Sequence, residues 1–182
     1  MPVPRIQSES SLALVIDLQQ KLLPHMEAAE GIASQAVRLI RGCATLSVPL
    51  LVTEQYPAGL GPTVDPVSEA MGDLHRPVAK TCFSAWIDPI RESVEASGRT
   101  TVILMGIETH VCLLQTALDL ASAGYLPVVA ADATGSRRSV DSQVALDRIA
   151  GFGLISTVES ILLEMVKNAD NEAFKAILPL IR

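Results

Sequence analysis

Asp17, Lys80 and Cys112 are the residues of this chain whose types, taken together, can attack a carbonyl carbon. Cys112 lies in MGIETHVCLLQTALDLASAG, Met105 to Gly124, where an apolar run over Thr101 to Ile107 breaks at Glu108-Thr109 and a helical pattern begins. Thr109 is placed as its N-cap. Leu114, Leu118 and Ala121 then recur at i, i+4 and i+7, the spacing of a buried stripe. A thiol in the first turn of that helix sits among backbone N–H groups at the positive end of the dipole, and both favour the thiolate. Asp17 interrupts the end of the apolar run LALVIDL, and Lys80 follows an apolar pair in VAK. An aspartate there can take the thiol proton and return it to a leaving amine. The ammonium would stabilise the thiolate and keep the carboxylate ionised. Backbone N–H groups of the turn before the helix could hold a developing oxyanion. Each residue alone has a plainer reading: a cysteine that is a small buried hydrophobe, an aspartate that caps a helix, a lysine that snorkels from a strand end.

The elements that must position these residues are legible as alternating segments. Leu12 to Leu18, Val48 to Thr53, Val78 to Lys80, Thr101 to Ile107, Leu126 to Ala131 and Leu154 to Val158 read as strands. Helical patterns separate them: Ile32 to Leu46, Ile90 to Ala96 ended by Gly98, the segment after Cys112, Val140 to Ile149, and Ser160 onward. Such alternation predicts an α/β fold with a parallel, doubly wound sheet. Ligands of such sheets bind beyond the carboxyl ends of the strands, which is where all three residues fall. Gln20 to Met26 reads as a turn or short helix. Glu54 to Arg76, with its prolines and glycines, reads as a long loop with one short helix that walls the same edge.

The 182 residues suit one domain, 1–182. Hydrophobic residues make up 49% of the chain, yet charges interrupt every apolar run before it could span a bilayer, so the apolarity suits a sheet covered on both faces. A net charge of -6 without a basic stripe, and aromatics at 3%, argue against a nucleic-acid partner. The N-terminal MPVPRIQSESS has no apolar signal core, and three cysteines form no disulfide framework, so a cytoplasmic protein is expected. Cys43 falls in a helix stripe and reads as core, Cys82 as core or site wall, and His25 and His75 as surface or structural residues. No GxGxxG, GxxxxGK[ST] or GxSxG is present. Phe174, Ile177, Leu178 and Ile181 form an apolar stripe that fits an oligomer interface.

The order Asp, Lys, Cys in VIDLQ, VAKTCFSAW and GIETHVCLLQTAL resembles the isochorismatase-like cysteine hydrolase family, which includes nicotinamidases and N-carbamoyl-amide hydrolases. TEQYPAGLGPTV, DATGSRRSVDSQVALDRI and TVESILLEM are similar to its isochorismatase domain-containing branch, so the resemblance covers nearly the full chain. It implies a three-layer α/β/α, Rossmann-like fold with a six-stranded parallel sheet, and an Asp17, Lys80, Cys112 triad. It also implies a cis peptide between Ile107 and Glu108 that presents the amides of Glu108 and Cys112 as an oxyanion hole. Gln19, Tyr56, Phe83, Trp86 and His110 are the expected substrate-binding residues. Metal-dependent nicotinamidases carry an Asp-x-His and a further His after the second strand. Here that stretch reads Glu54, Gln55, Tyr56, Pro57, so no metal and no cofactor are expected, and nicotinamide is disfavoured as substrate.

The expected activity is hydrolysis of a small amide or related C–N bond through a Cys112 thioester, by a homo-oligomer of two or more copies. Three other readings stand beside it: a vinyl-ether hydrolase of the isochorismatase type with Asp17 as acid, a non-catalytic oligomeric binding protein, and a redox-sensing thiol at Cys112 or Cys82.

Overall fold

The computed structural model describes residues 3–181. Met1, Pro2 and Arg182, at the ends of the expected 1–182 domain, lie outside the described residues. Six parallel strands form one sheet: β1 (Ser11–Ile16), β2 (Leu50–Gln55), β3 (Val78–Lys80), β4 (Thr101–Ile107), β5 (Leu126–Gly135) and β6 (Leu154–Ser156). Their spatial order is β3-β2-β1-β4-β5-β6. The helices are α1 (Ala29–Thr45), α2 (Pro57–Leu60), α3 (Asp65–Met71), α4 (Asp88–Ser97), α5 (Leu114–Ser122), α6 (Ser139–Ile149), α7 (Val158–Val166) and α8 (Glu172–Ile177). None of the described helices is long and apolar enough to cross a membrane.

Both faces of the sheet are covered, which is why its strands read as continuous apolar runs. Ala13, Val15, Ile103 and Met105 turn to one face and meet α1, α3, α7 and α8. Leu12, Leu14, Val102 and Leu104 turn to the other and meet α4, α5 and α6. The alternation along β1 and β4 is the two-residue period of a strand, with each fully buried aliphatic side chain contributing roughly 1.5–3 kcal/mol. The expected three-layer α/β/α arrangement is present.

Several boundaries move. β2 runs two residues past Thr53, so Glu54 and Gln55 belong to the sheet. β5 continues past Ala131 through Asp132 to Gly135, and its pairing with β4 shifts register between Leu104 and Gly106. The long irregular segment holds two short helices, α2 and α3, rather than one. The C-terminal stripe is spent within the molecule: Ile177 is fully buried in the core, and Phe174 and Ile181 pack against it, so this stripe is not the free surface expected of an interface.

The strand order reverses between β1 and β4, the switch point at which doubly wound sheets open a crevice for ligands. Gly106 sets how closely those strands approach. Its φ is +122°, and a Cβ there would sit 2.0 Å from the backbone oxygen of Ile16. Gly98, with φ +64° and open space around it, provides a control for the backbone term alone. Gly98→Ala is expected to cost about 1–2 kcal/mol. Gly106→Ala must also part β1 from β4, and its cost in urea denaturation is expected to exceed that of Gly98→Ala by at least about 2 kcal/mol. Equal costs would show that the close approach is not required.

Candidate active site

Asp17 is the first residue beyond β1. Its backbone turns into the left-handed region, φ +54°, which aspartate tolerates better than most side chains, and which takes it off the line of the strand. The carboxylate is wholly buried. Thr53 Oγ1 donates to Oδ1 at 2.8 Å, and Lys80 Nζ donates to Oδ2 at 2.6 Å. The β1–β2 register sets Ile16 beside Thr53, and the β2–β3 register sets Gln55 beside Lys80, so three neighbouring strands supply this cluster.

Lys80 is also buried, and its ammonium meets further oxygens: Gln55 Oε1 at 2.8 Å, the Phe83 carbonyl at 2.9 Å and the Cys82 carbonyl at 3.3 Å. Its three N–H donors therefore have four acceptors, including Asp17. Such saturation is what makes a buried ion pair tolerable, since the desolvation of each ion costs several kcal/mol.

Cys112 comes from the far side of the switch point, after β4. The Ile107–Glu108 peptide is cis, as the resemblance implied. The residues that follow form a π-helical turn, Thr109–Leu113, before α5 begins at Leu114. Thr109 does not cap this turn. Its hydroxyl lies 3.0 Å from that of Thr134 and accepts from Ser142 Oγ at 3.0 Å. Thr116 fixes the turn instead: its hydroxyl donates to the Cys112 carbonyl at 2.7 Å and accepts from Ala85 N–H at 2.8 Å. That contact ties the cysteine turn to the segment that cradles Lys80.

The electrostatics of the thiol differ from expectation. Cys112 is 5% exposed. Burial pushes its pKa up to about 12, and the Asp17 charge adds to the effect; the Lys80 ammonium and the Glu108 backbone N–H oppose it without prevailing. The resting side chain is a thiol, not the thiolate favoured by a helix end, because a dipole that acts over one turn is outweighed by desolvation and a nearby full charge.

Glu108 contributes its backbone N–H toward the sulfur and its carboxylate to Arg137, whose N and Nε donate to Oε2 at 3.2 and 3.1 Å. The other expected binding residues are dispersed. His110 is half-buried, with Nδ1 2.9 Å from Ser136 Oγ. Phe83 offers Lys80 its carbonyl while its ring is exposed. Tyr56 is exposed and lines a cavity of about 380 Å³ with Lys80, Cys82 and Ile87. Trp86 packs on Tyr125, ring centroids 5.3 Å apart. Gln19 is fully buried and its amide is taken up by backbone: it accepts from Gln55 N–H at 2.7 Å and donates to the carbonyls of Gln55 at 3.0 Å and Gly61 at 2.6 Å. It fastens the loop after β1 to that after β2 and has no N–H left for a ligand.

Thr53, Gln55 and Thr116 went unrecognised in the sequence. A signal existed for two of them: Thr53 and Gln55 are polar at i and i+2 at the end of an apolar strand, which marks a strand face leaving the core for a site. Cys43 is core, as read, while Cys82 is exposed. Among the described residues no group of three or more His, Cys, Asp or Glu side chains could hold a metal ion. Glu54 accepts through Oε1 from Thr63 N–H at 2.7 Å and Thr63 Oγ1 at 2.8 Å.

Comparison with known proteins agrees with this architecture. The family model described as Isochorismatase domain matches residues 11–160. Isochorismatase domain-containing protein 2A of Mus musculus is 44% identical over 179 residues, which are 98% of this chain and 85% of the mouse protein. Among solved structures, the MAR1 ribonuclease of Caenorhabditis elegans superposes with a TM-score of 0.92 at 37% identity, covering 98% of this chain and 92% of the other. The octameric hydrolase YcaC of Escherichia coli shares the fold, with a TM-score of 0.91 at 22% identity over 99% and 90% of the two chains. The chain belongs to the isochorismatase family of hydrolases.

Proposed function

We propose that this protein hydrolyses a small amide or related C–N bond through a thioester on Cys112. The observation that carries the proposal is a buried thiol, still protonated, beside a carboxylate whose two oxygens both accept hydrogen bonds. A thiol with a pKa of about 12 needs a base at the moment of attack, and Asp17 is the base supplied. When a carbonyl carbon reaches the sulfur, the S–H proton passes to Asp17 as the C–S bond forms. The oxygen that becomes negative is received by the N–H groups of Glu108 and Cys112. Asp17 then gives the proton to the leaving nitrogen, the C–N bond breaks, and an amine or ammonia departs. Water adds to the thioester as Asp17 takes its proton; the C–S bond then breaks, the acid is released, and Asp17 returns the proton to the departing sulfur, restoring thiol and carboxylate. Lys80, through its 2.6 Å hydrogen bond, fixes Asp17 in place between these transfers.

The arrangement favours amide over vinyl-ether hydrolysis, because Asp17 rests as an acceptor from Thr53 and Lys80 and so begins the cycle as a base, whereas vinyl-ether cleavage needs it to begin as an acid. No metal or cofactor enters these steps. Tyr56, Phe83 and His110 are the side chains proposed to shape substrate choice. A cytoplasmic homo-oligomer is the proposed assembly, with the exposed Val140 and Val144 of α6 as the apolar pair it would cover.

A panel of small amides and carbamoyl compounds, with acid-quench mass spectrometry, tests the covalent route. An acyl adduct on Cys112 and a loss of at least about 10³-fold in turnover for Cys112→Ala are expected. Undiminished turnover in Cys112→Ala would sink the proposal. RNA belongs in the panel because the worm relative bears the name of a ribonuclease, and RNA cleavage without an acyl-Cys112 would overturn the amide reading.

The pKa gives a second test. At pH 8 the thiolate is the minor form, so iodoacetamide alkylation of Cys112 in the free protein should be slow and should rise with pH toward 12. Asp17→Asn removes a charge that raises the pKa, so it should speed alkylation at pH 8 while abolishing turnover. Lys80→Met removes a charge that lowers the pKa, so it should slow both. Moving the midpoint of the thiol titration by about one pH unit changes the thiolate fraction at pH 8 about tenfold. Slower alkylation in Asp17→Asn would contradict the assignment of Asp17 as the nearby charge.

A further inference from the structure

We propose that Gln55 is a positioning residue of this site: it holds the Lys80 ammonium against Asp17 with a neutral oxygen, and so sets the charge that Cys112 feels. The inference rests on the reading of Asp17, Lys80 and Cys112 as the reacting group.

Thr53 and Gln55 stand two residues apart at the end of β2 and share one face of the strand. Glu54, between them, turns its carboxylate to Thr63. On the shared face, Thr53 donates to Asp17, and Gln55 accepts from Lys80 at 2.8 Å. One strand end thus serves both members of the ion pair, giving a donor to the anion and an acceptor to the cation.

The Gln55 amide is itself oriented. Its Nε2 donates to the Thr81 carbonyl at 2.8 Å, which leaves Oε1 for Lys80. Its main chain is held from both sides by the Gln19 amide. The β2–β3 register places it directly beside Lys80. A glutamate in this place would add a second negative charge beside Asp17 and set an oxygen against the Thr81 carbonyl. An apolar residue would leave the ammonium with Asp17 and two carbonyls, one of them at 3.3 Å, so its third donor would turn toward the longer contact and its hold against the carboxylate would loosen. Either change exposes the thiol to more negative charge. Only an amide satisfies Lys80 and Thr81 together while leaving the net charge of the site unchanged.

The test is a mutant cycle read by Cys112 alkylation at pH 8 in the full-length protein, with near-ultraviolet circular dichroism and urea midpoints to verify folding. Gln55→Met is expected to slow Cys112 by about threefold or more, since a raised pKa depletes thiolate faster than it sharpens each thiolate's attack. In the Asp17→Asn/Lys80→Met background there is no ammonium to position, and adding Gln55→Met should leave the rate within about twofold. Should Gln55→Met not fold, Gln55→Asn reads the same cycle, with an amide one methylene too short to span Lys80 and Thr81. An unchanged rate in the parent, or the same slowing in both backgrounds, overturns the proposal. Because the readout is alkylation of the resting thiol, a negative result leaves the acyl-trapping test standing. A failure to trap an acyl group likewise leaves this cycle interpretable.

Discussion

The ion pair between Asp17 and Lys80, 2.6 Å long and closed to solvent, is the constraint around which the rest of this molecule is arranged. Removing two charges from water costs several kcal/mol for each, and the attraction between them repays this only when the remaining donors and lone pairs are also satisfied. The fold meets that condition with groups from separate elements: Thr53 and Gln55 from β2, and the Cys82 and Phe83 carbonyls from the turn after β3. Three strands and their following turns are committed to one pair of charges. A site built this way is preorganised, because none of its members can move without stranding another.

Cys112 is brought to that pair from the opposite side of the switch point, and its chemistry follows from where it arrives. A cysteine near a helix start is ordinarily expected to ionise easily. Here burial and the Asp17 charge dominate, and the thiol is held protonated. The same carboxylate that suppresses the thiolate is, in the proposed function, the base that removes its proton when a carbonyl compound occupies the site. The Thr116 hydroxyl, bridging the Cys112 carbonyl and the Ala85 N–H, couples the two halves and keeps sulfur and carboxylate in register.

Much of the polar chemistry near the site is fastening. Gln19 is joined to Gln55 and Gly61, Glu54 to Thr63, and Glu108 to Arg137. The loop after β1 also pairs with the segment before α3, through Gln20 N–H to Pro62 and Val64 N–H to Leu18. Buried backbone at the mouth of a crevice needs partners, and side-chain amides and carboxylates supply them where no neighbouring strand does. The outer side chains, Tyr56 and Phe83 among them, are exposed and take no part in this fastening.

The strands were legible in the amino-acid order alone, because strands buried on both faces must be continuous apolar runs, and so were the positions of Asp17, Lys80 and Cys112, because polar residues at the ends of such runs stand out against them. The family resemblance rested on the same segments. Strand order, the close approach at Gly106 and the neutral partners of the ion pair were decided by tertiary structure. Thr53 and Gln55 acquire their roles only when β1, β2 and β3 lie side by side, and Thr116 only when α5 packs beside the turn after β3. The apolar C-terminal stripe shows the reverse error: periodicity reveals that a face will be covered, not by what, and here the chain's own core covers it. The direction in which the Cys112 pKa moves was likewise out of reach, since a helix end is visible in one stretch of sequence, whereas burial and a facing carboxylate come from residues nearly a hundred positions away.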